Sequence, residues 1–500
     1  MLRHLLSVAA CALIAAAPLH SHARNRLDAL RAVPRTRGLR ARLSSLLRSW
    51  AEPSHIAAPS APWTISPISY GADPTGLADS SPAFDAALAA LLARGTSARH
   101  DEGGTVDLGG ALLDLEGGDY LISRSILFPS NFSNFAMAHG TLRAAPGFPA
   151  GVFLLEVGTA GAPCTNWGDS CSEDVSLEDL FLDGSQLANG VRFNAVIGVN
   201  AGPDLFVVNF TSVGVDMEGG HEVMLHESWV ASCWYNPPDL CWLNATALGQ
   251  TKGILINGND HYLEQVVVFG GLTGVEVNGA ANFISGLHTW NTQVGAVPNA
   301  TGILVNTWQN RLVGCYLDFV PLVLSGAALT TVTGGFFLGG AQILFRPDKA
   351  AYPVRGIFIS GNQFASAGGV PDVVALPPPP GAPGYSGLED VTIEGSLSDD
   401  PAMPRRSTTA TITLRNTSLW SADFAPLLAW DPAAPATPLQ AVTHSVWGCA
   451  PGEWEGAGAG TAAVVEGGVV TVVRAGGGGG SGNPRCSVTI SVDQSKRGKQ

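Results

Sequence analysis

Gly214-Val215-Asp216-Met217, Gly253-Ile254-Leu255-Ile256, Gly274-Val275-Glu276-Val277 and Gly302-Ile303-Leu304-Val305 say nearly the same thing four times. Each is a glycine followed by a short strand with apolar residues at alternate positions. A polar turn follows, at His221-Glu222, Asp260-His261, Asn282 and Asn310. A second apolar stretch comes next, beginning at Met224-Leu225 in the first unit and spanning 263–269, 284–290 and 312–319 in the others. A unit of roughly 20 to 28 residues with two or three short strands and no helix marks a β-solenoid coil. One coil cannot bury its own apolar face, so coils must stack into a continuous core.

Composition fits that class. Hydrophobic residues make up 46% of the 500, with 61 glycines and 14% charged residues, which describes a turn-rich β protein and excludes a disordered one. A formal charge of −14 argues against a nucleic-acid or membrane-surface partner. Residues 1–23 read as a secretory signal, with Arg3 and His4, an apolar run over 5–18, and Ser21 and Ala23 before the cut. No later stretch has the ~18 unbroken apolar residues of a membrane span. An extracellular or cell-wall location is therefore expected. Cys11 leaves with the signal. The rest fall as Cys164/Cys171, Cys233/Cys241, Cys449/Cys486 and a lone Cys315, which suggests three disulfides and one buried thiol. Asn131, Asn209, Asn244, Asn299 and Asn416 open glycosylation sequons.

Along the chain, 24–62 is an arginine- and proline-rich segment read as mobile. Order is expected from Trp63. Asp79 or Ser80 should N-cap a helix through Phe84, Leu88, Leu91 and Leu92 that covers the open N-terminal end of the solenoid. The β-helix is expected over 63–365. A linker at 366–387 contains Pro377 through Pro380, and a small antiparallel β-domain occupies 388–495.

Tyr70-Gly71-Ala72-Asp73-Pro74-Thr75-Gly76, followed by Asp79-Ser80 and the helix, resembles the opening of the pectate-lyase-like superfamily. Further segments resemble the quartet-type polygalacturonases: Leu177-Glu178-Asp179-Leu180-Phe181-Leu182-Asp183, Gly219-Gly220-His221-Glu222, Gly258-Asn259-Asp260, Leu287-His288-Thr289-Trp290-Asn291 and Cys315-Tyr316-Leu317-Asp318. The likeness spans about 65–495. It implies a right-handed parallel β-helix, all-β apart from the capping helix, and a cell-wall polysaccharide as substrate. The Asn-Thr-Asp, Asp-Asp, Gly-His-Gly and Arg-Ile-Lys signatures of ordinary polygalacturonases are missing from the expected coils, where the only Asp-Asp is the late Asp399-Asp400. The resemblance therefore does not carry the catalytic residues.

Those must come from stacking. Parallel strands lie about 4.8 Å apart, so equivalent side chains in successive coils form columns. Aligning 284–288 with 312–316 puts His288 beside Tyr316 on an outer face, with Leu287 and Cys315 inward and Trp229 one or two coils earlier. His261, Asn282 and Asn310 share a turn column, with Glu222 and Asp260 in it or beside it. Stacked asparagines are read as scaffold. Two carboxylates one coil apart repel unless a proton or cation lies between them, which is how glycosidases set a general acid beside a carboxylate base. Asp183, Glu222 and Asp260 are the catalytic candidates. His221, His261, His288, Trp290, Tyr316 and Asp318 are the substrate-binding ones. No metal or cofactor is expected. The leading expectation is a secreted glycoside hydrolase. Its alternatives are a non-catalytic wall-glycan-binding β-helix and a polysaccharide lyase, for which Lys252 and Arg311 are the only central bases.

Overall fold

The computed structural model describes residues 63–95, 105–162, 171–232, 251–290, 300–346, 354–365, 373–375, 389–399, 407–417, 421–423, 441–447, 461–466, 469–474 and 486–494. The protein is a parallel β-helix. Every strand pairing in its 22-stranded and 10-stranded sheets is parallel, and two three-stranded antiparallel sheets follow.

Each central coil has three strands, which define three faces. Face one carries Val213–Glu218, Lys252–Ile256, Thr273–Val277 and Thr301–Val305. Face two carries His221–His226, Tyr262–Glu264, Phe283–Ser285 and Arg311–Val313. Face three carries Trp229–Ala231, Val267–Phe269, His288–Trp290 and Tyr316–Asp318. The second apolar stretch of each sequence unit is thus two strands. A single residue in the left-handed region divides them, at Glu227, Gln265, Gly286 and Gly314. A one-residue bend leaves the apolar alternation almost intact, which hides it in the sequence.

A second left-handed column separates face one from face two, through Asp174, Gly198, Glu222, Asp260, Ala281 and Gln309. Between the bends the inward positions repeat with β-branched and aliphatic residues. Val191, Val215, Ile254, Val275 and Ile303 stack on face one, and Leu225, Leu263, Ile284 and Leu312 on face two, each at most 1% exposed. Parallel strands buried on the inside suit such residues.

Helix Ser81–Leu92 buries Phe84, Leu88 and Leu91 in the same core, with Phe84 edge-on to Tyr120 at 5.2 Å. Ser80 is the N-cap by position, but its hydroxyl accepts the N–H of Asp73. The capping bond comes from Asp79, whose Oδ1 accepts the N–H of Ser81 at 3.0 Å. Asp73 ties the preceding turn by accepting from Thr75, Leu77 and Ala78, and the Thr75 hydroxyl leads in drawing its carboxyl down to about 2.

Two expectations change. Val374–Ala375 pairs in parallel with Ile343–Phe345, and Glu389–Glu394 and Leu397–Ser398 pair in parallel with Arg355–Ser360 and Gln363–Ala365. The parallel pairings therefore continue to Ser398, and Val374–Ala375, inside the expected linker, is one of their strands. Asn209 is buried and donates to Asp183 at 2.9 Å, so that sequon is spent on the fold. Cys315 is a free buried thiol, pushed up to about 12 by burial. Cys164, Cys233, Cys241 and Cys449 lie outside the described residues.

A polar ladder runs inside the first bend. His261 Nδ1 accepts the N–H of Val223 at 3.0 Å, Asn282 Oδ1 accepts that of His261 at 2.9 Å, and Asn310 Oδ1 accepts that of Asn282 at 3.0 Å. Each side chain satisfies a buried donor that the bend takes out of the sheet ladder. Asn282→Ala should therefore cost about 1–3 kcal/mol in denaturant unfolding, while Asn278→Ala, at an exposed site, should cost under about 0.5 kcal/mol. Burial, with His221 beside it, lowers the His261 imidazole from 6.5 to about 3. The unfolded chain takes up this proton first, so the stability it provides is complete above pH 6.5 and lost as the pH falls toward 3. His261→Asn keeps an acceptor and removes that proton. Unfolding curves across this window should lose up to about 1.4 kcal/mol per pH unit of slope in the variant.

Candidate active site

Face three presents two outward columns. Register places Phe181, Phe206, Trp229, Val267, His288, Tyr316 and Phe336 in one. Asp183, Val208, Ala231, Phe269, Trp290, Asp318 and Leu338 form the other. Six steps of about 4.8 Å make this a strip of roughly 29 Å along the solenoid axis. Its rings stack in two runs, one on either side of Val267. Phe181 and Phe206 stack at 6.0 Å, Phe206 and Trp229 at 6.0 Å, and His288 and Tyr316 at 4.3 Å with planes 5° apart.

Four of the expected sugar-binding residues converge here. His288 pairs with Tyr316, and Trp290 pairs with Asp318, across two adjacent coils. His288 Nε2 lies 3.2 Å from Asp318 Oδ2, while Asp318 Oδ1 is buried with no hydrogen-bond partner among the described residues. Burial first, and then the Asp318 carboxylate, raise the Tyr316 phenol. Trp229 lies two coils before His288 in the same column.

The three expected catalytic carboxylates do not come together. Glu222 and Asp260 are register neighbours at the first bend, flanked by the His221–Asn259 and Met224–Tyr262 pairings. His221 Nδ1 lies 3.3 Å from Asp260 Oδ2, and Glu222 is exposed with no ion pair among the described residues. Asp183 belongs to the far column of face three, at the level of Ala231. Glu222 and Asp260 sit at the first bend, and Ala231 lies beyond the second bend at Glu227, at the far edge of face three. Asp183 is 9% exposed, and its Oδ1 accepts from Ser185 N–H and Asn209 Nδ2. It caps a turn. His261, expected on the surface, is 1% exposed inside the ladder and cannot touch a polymer.

The columns also show what the sequence reading passed over. The bend between faces two and three carries His139, Asp179, Asp204 and Glu227 in successive coils, all left-handed, with φ between 45° and 65°. From Gly286 onward the same position is glycine, through Gly314, Gly334, Gly361 and Gly395. Glycine adopts this conformation without strain, whereas other residues meet a penalty of roughly 1 kcal/mol or more. Each acid lies two residues before an outward ring: Asp179-Leu180-Phe181, Asp204-Leu205-Phe206 and Glu227-Ser228-Trp229. That threefold acid-x-aromatic pattern was the available signal. It begins before Gly214, where the most regular lines start.

A cavity of about 350 Å³ opens at this end of the strip, lined in part by His139, Thr141, Asp179, Phe181, Asp204 and Phe206. Asp179 and Asp204 are exposed and make no ion pair among the described residues, and His139 Nδ1 lies 3.1 Å from Asp114 Oδ1. Among the described residues no group of three or more His, Cys, Asp or Glu side chains is placed to hold a metal ion. The arrangement offers free carboxylates at the rim of a ring-floored hollow. Such a hollow can hold a sugar by its face while carboxyl groups address the bond beside it.

No protein-family model matches the sequence. Among solved structures, ORF18 of Geobacillus virus E2 is similar with a TM-score of 0.48 at 12% identity, covering 82% of this chain and 76% of its own. The catalytic unit of a GH87 α-1,3-glucanase from Streptomyces thermodiastaticus gives 0.36 at 14%, covering 68% and 69%. Likenesses this distant carry no argument about chemistry. Polygalacturonase QRT3 of Arabidopsis thaliana is 32% identical over 376 residues, covering 72% of this chain and 73% of its own length. The protein belongs to the polygalacturonase family that QRT3 represents.

Proposed function

We propose that the protein is a secreted glycoside hydrolase that cleaves a pectin-like cell-wall polysaccharide, with its acid and base drawn from Asp179, Asp204 and Glu227. The observation that carries this reading is the pair Asp179 and Asp204, one coil apart, unpaired among the described residues and lining a hollow floored by Phe181 and Phe206. One carboxylic acid donates a proton to the leaving glycosidic oxygen. The other carboxylate attacks the anomeric carbon or activates water. A pair one coil apart, near 5 Å, suits retention, and a pair two coils apart, such as Asp179 and Glu227, leaves room for the water of inversion. Trp229, His288, Trp290, Tyr316 and Asp318 continue the strip and hold further sugars. The relative's name, polygalacturonase, supports the substrate class. Secretion rests on residues 1–23 and on the disulfide-bonded state of Cys171 and Cys486. No helix among the described residues is long and apolar enough to cross a membrane.

A second reading keeps the chemistry at Glu222 and Asp260, favoured by their register and by His221 on Asp260. Reducing-end release from partly esterified pectin separates the two. Asp179→Asn, Asp204→Asn and Glu227→Gln should include at least two variants slowed about 100-fold or more, with circular dichroism unchanged. Glu222→Gln and Asp260→Asn should stay within about threefold of wild type. The opposite pattern moves the chemistry to the first bend. Binding without turnover by the wild type would establish a wall-glycan-binding protein, and an unsaturated, ultraviolet-absorbing product would establish a lyase.

A further inference from the structure

Face two carries an exposed column that the cleavage strip does not use. Register places Met224, Tyr262, Phe283, Arg311, Thr331 and Phe358 one above another. Five steps of about 4.8 Å make a line of roughly 24 Å parallel to the solenoid axis. Met224 is 42% exposed, Tyr262 43% and Phe358 38%, and the Tyr262 and Phe283 rings lie 6.2 Å apart. Large apolar side chains gathered on one outer face mark a binding surface, whereas scattered ones do not.

Arg311 stands in the middle of this column, exposed, and its guanidinium makes no hydrogen bond or ion pair among the described residues. Arg124, Arg143, Arg192 and Lys252 are each held by a carboxylate, of Asp85, Asp119, Asp216 and Glu276. The surroundings of Arg311 explain the difference. Residues 280–286, 308–314 and 328–334 span face two and both of its bends in the Arg311 coil and the two beside it, and Arg311 is their only charged residue. The adjoining outward column passes it as Ser285, Val313 and Thr333. Glu264 lies two coils back in that column, with Asp260 at its bend. Two coils ahead stands Arg355, whose register neighbour is Glu389. The stretch 347–353 leading into Arg355 carries one acid, Asp348, and one base, Lys349.

We propose that this column is a second glycan-binding surface, separate from the cleavage strip, and that it takes a polyuronate such as polygalacturonate. The proposal rests on the polysaccharide reading of the protein and not on where cleavage occurs. A guanidinium is a planar fork that fits a carboxylate by two parallel hydrogen bonds. Phe283 and Tyr262 beside it give apolar ring faces on which sugars lie. A polymer with a carboxylate on each ring sets one on Arg311 while neighbouring rings cover Phe283 and Tyr262. Face two meets face three at the second bend, so a long chain anchored here is kept at high local concentration beside the strip.

Affinity electrophoresis of the full chain tests this, in gels cast with polygalacturonate or with the same polymer fully methyl-esterified. Arg311→Gln should need about tenfold more polygalacturonate for equal retardation, and Tyr262→Ala about threefold more. Thr331→Arg, which sets a second cation one coil on, should need less than wild type. In the esterified gel Arg311→Gln should stay within about twofold of wild type, and in polygalacturonate about 300 mM salt should remove most of its defect. Unchanged retention of Arg311→Gln by polygalacturonate overturns the proposal, as does an equal loss in both gels or no retention of the wild type. Turnover of a galacturonate trimer, too short to reach both faces, is measured beside it and should stay within about twofold of wild type in Arg311→Gln. Loss of trimer cleavage in that variant makes face two the cleavage surface and overturns the proposal. A wild type retained through Arg311 that cleaves nothing upholds the second surface and removes the hydrolase reading.

Discussion

Everything in this molecule depends on parallel strands holding register while the chain turns through single left-handed residues. A coil built this way advances about 4.8 Å per turn with little slack, so a residue type at one position in a coil becomes a column along the whole protein. Columns facing in must be apolar or satisfied by their own kind. Columns facing out become continuous surfaces. The buried Val and Ile stacks, the His261–Asn282–Asn310 ladder and the aromatic strip are three results of one geometric rule.

The same rule explains where strain is accepted. A bend residue with positive φ is easiest as glycine, and the later coils use Gly286, Gly314, Gly334, Gly361 and Gly395 at the second bend. The earlier coils place His139, Asp179, Asp204 and Glu227 there. Non-glycine residues in this region cluster at working sites because a side chain is needed where the backbone prefers none. The first bend is less informative, since Glu222 and Asp260 share it with Ala281, Gln309 and Leu329. Its inner neighbours form the ladder, and that is where His261 belongs.

How much was legible in the sequence differs sharply by residue. The glycine-led lines, the inward Leu287 and Cys315, and the His288–Tyr316 contact followed from counting along the repeat. Each depends only on local register. Asp183 is ambiguous in the sequence because an aspartate before glycine looks the same whether it faces substrate or caps a turn. The Asn209 amide and the Ser185 N–H on its carboxylate favour the turn. The strand Val374–Ala375 is hidden because two residues inside a Pro- and Gly-rich run leave no alternation to see. Asp179 falls within a familial segment and Asp204 in none, and neither stands out from its own line of sequence. Their importance appears only when both are seen beside stacked rings one coil apart.

The central claim is that face three, and no other face, holds the glycan at its cleavage point, with Asp179 and Asp204 beside the bond. A crystal structure of the Asp204→Asn variant with an oligogalacturonide tests it most directly. The sugar chain should run parallel to the solenoid axis over Phe181, Phe206 and Trp229 toward His288 and Tyr316, with a glycosidic oxygen within hydrogen-bond reach of Asp179. Density along face two beside Glu222, Asp260 and Tyr262, with face three empty, would contradict it.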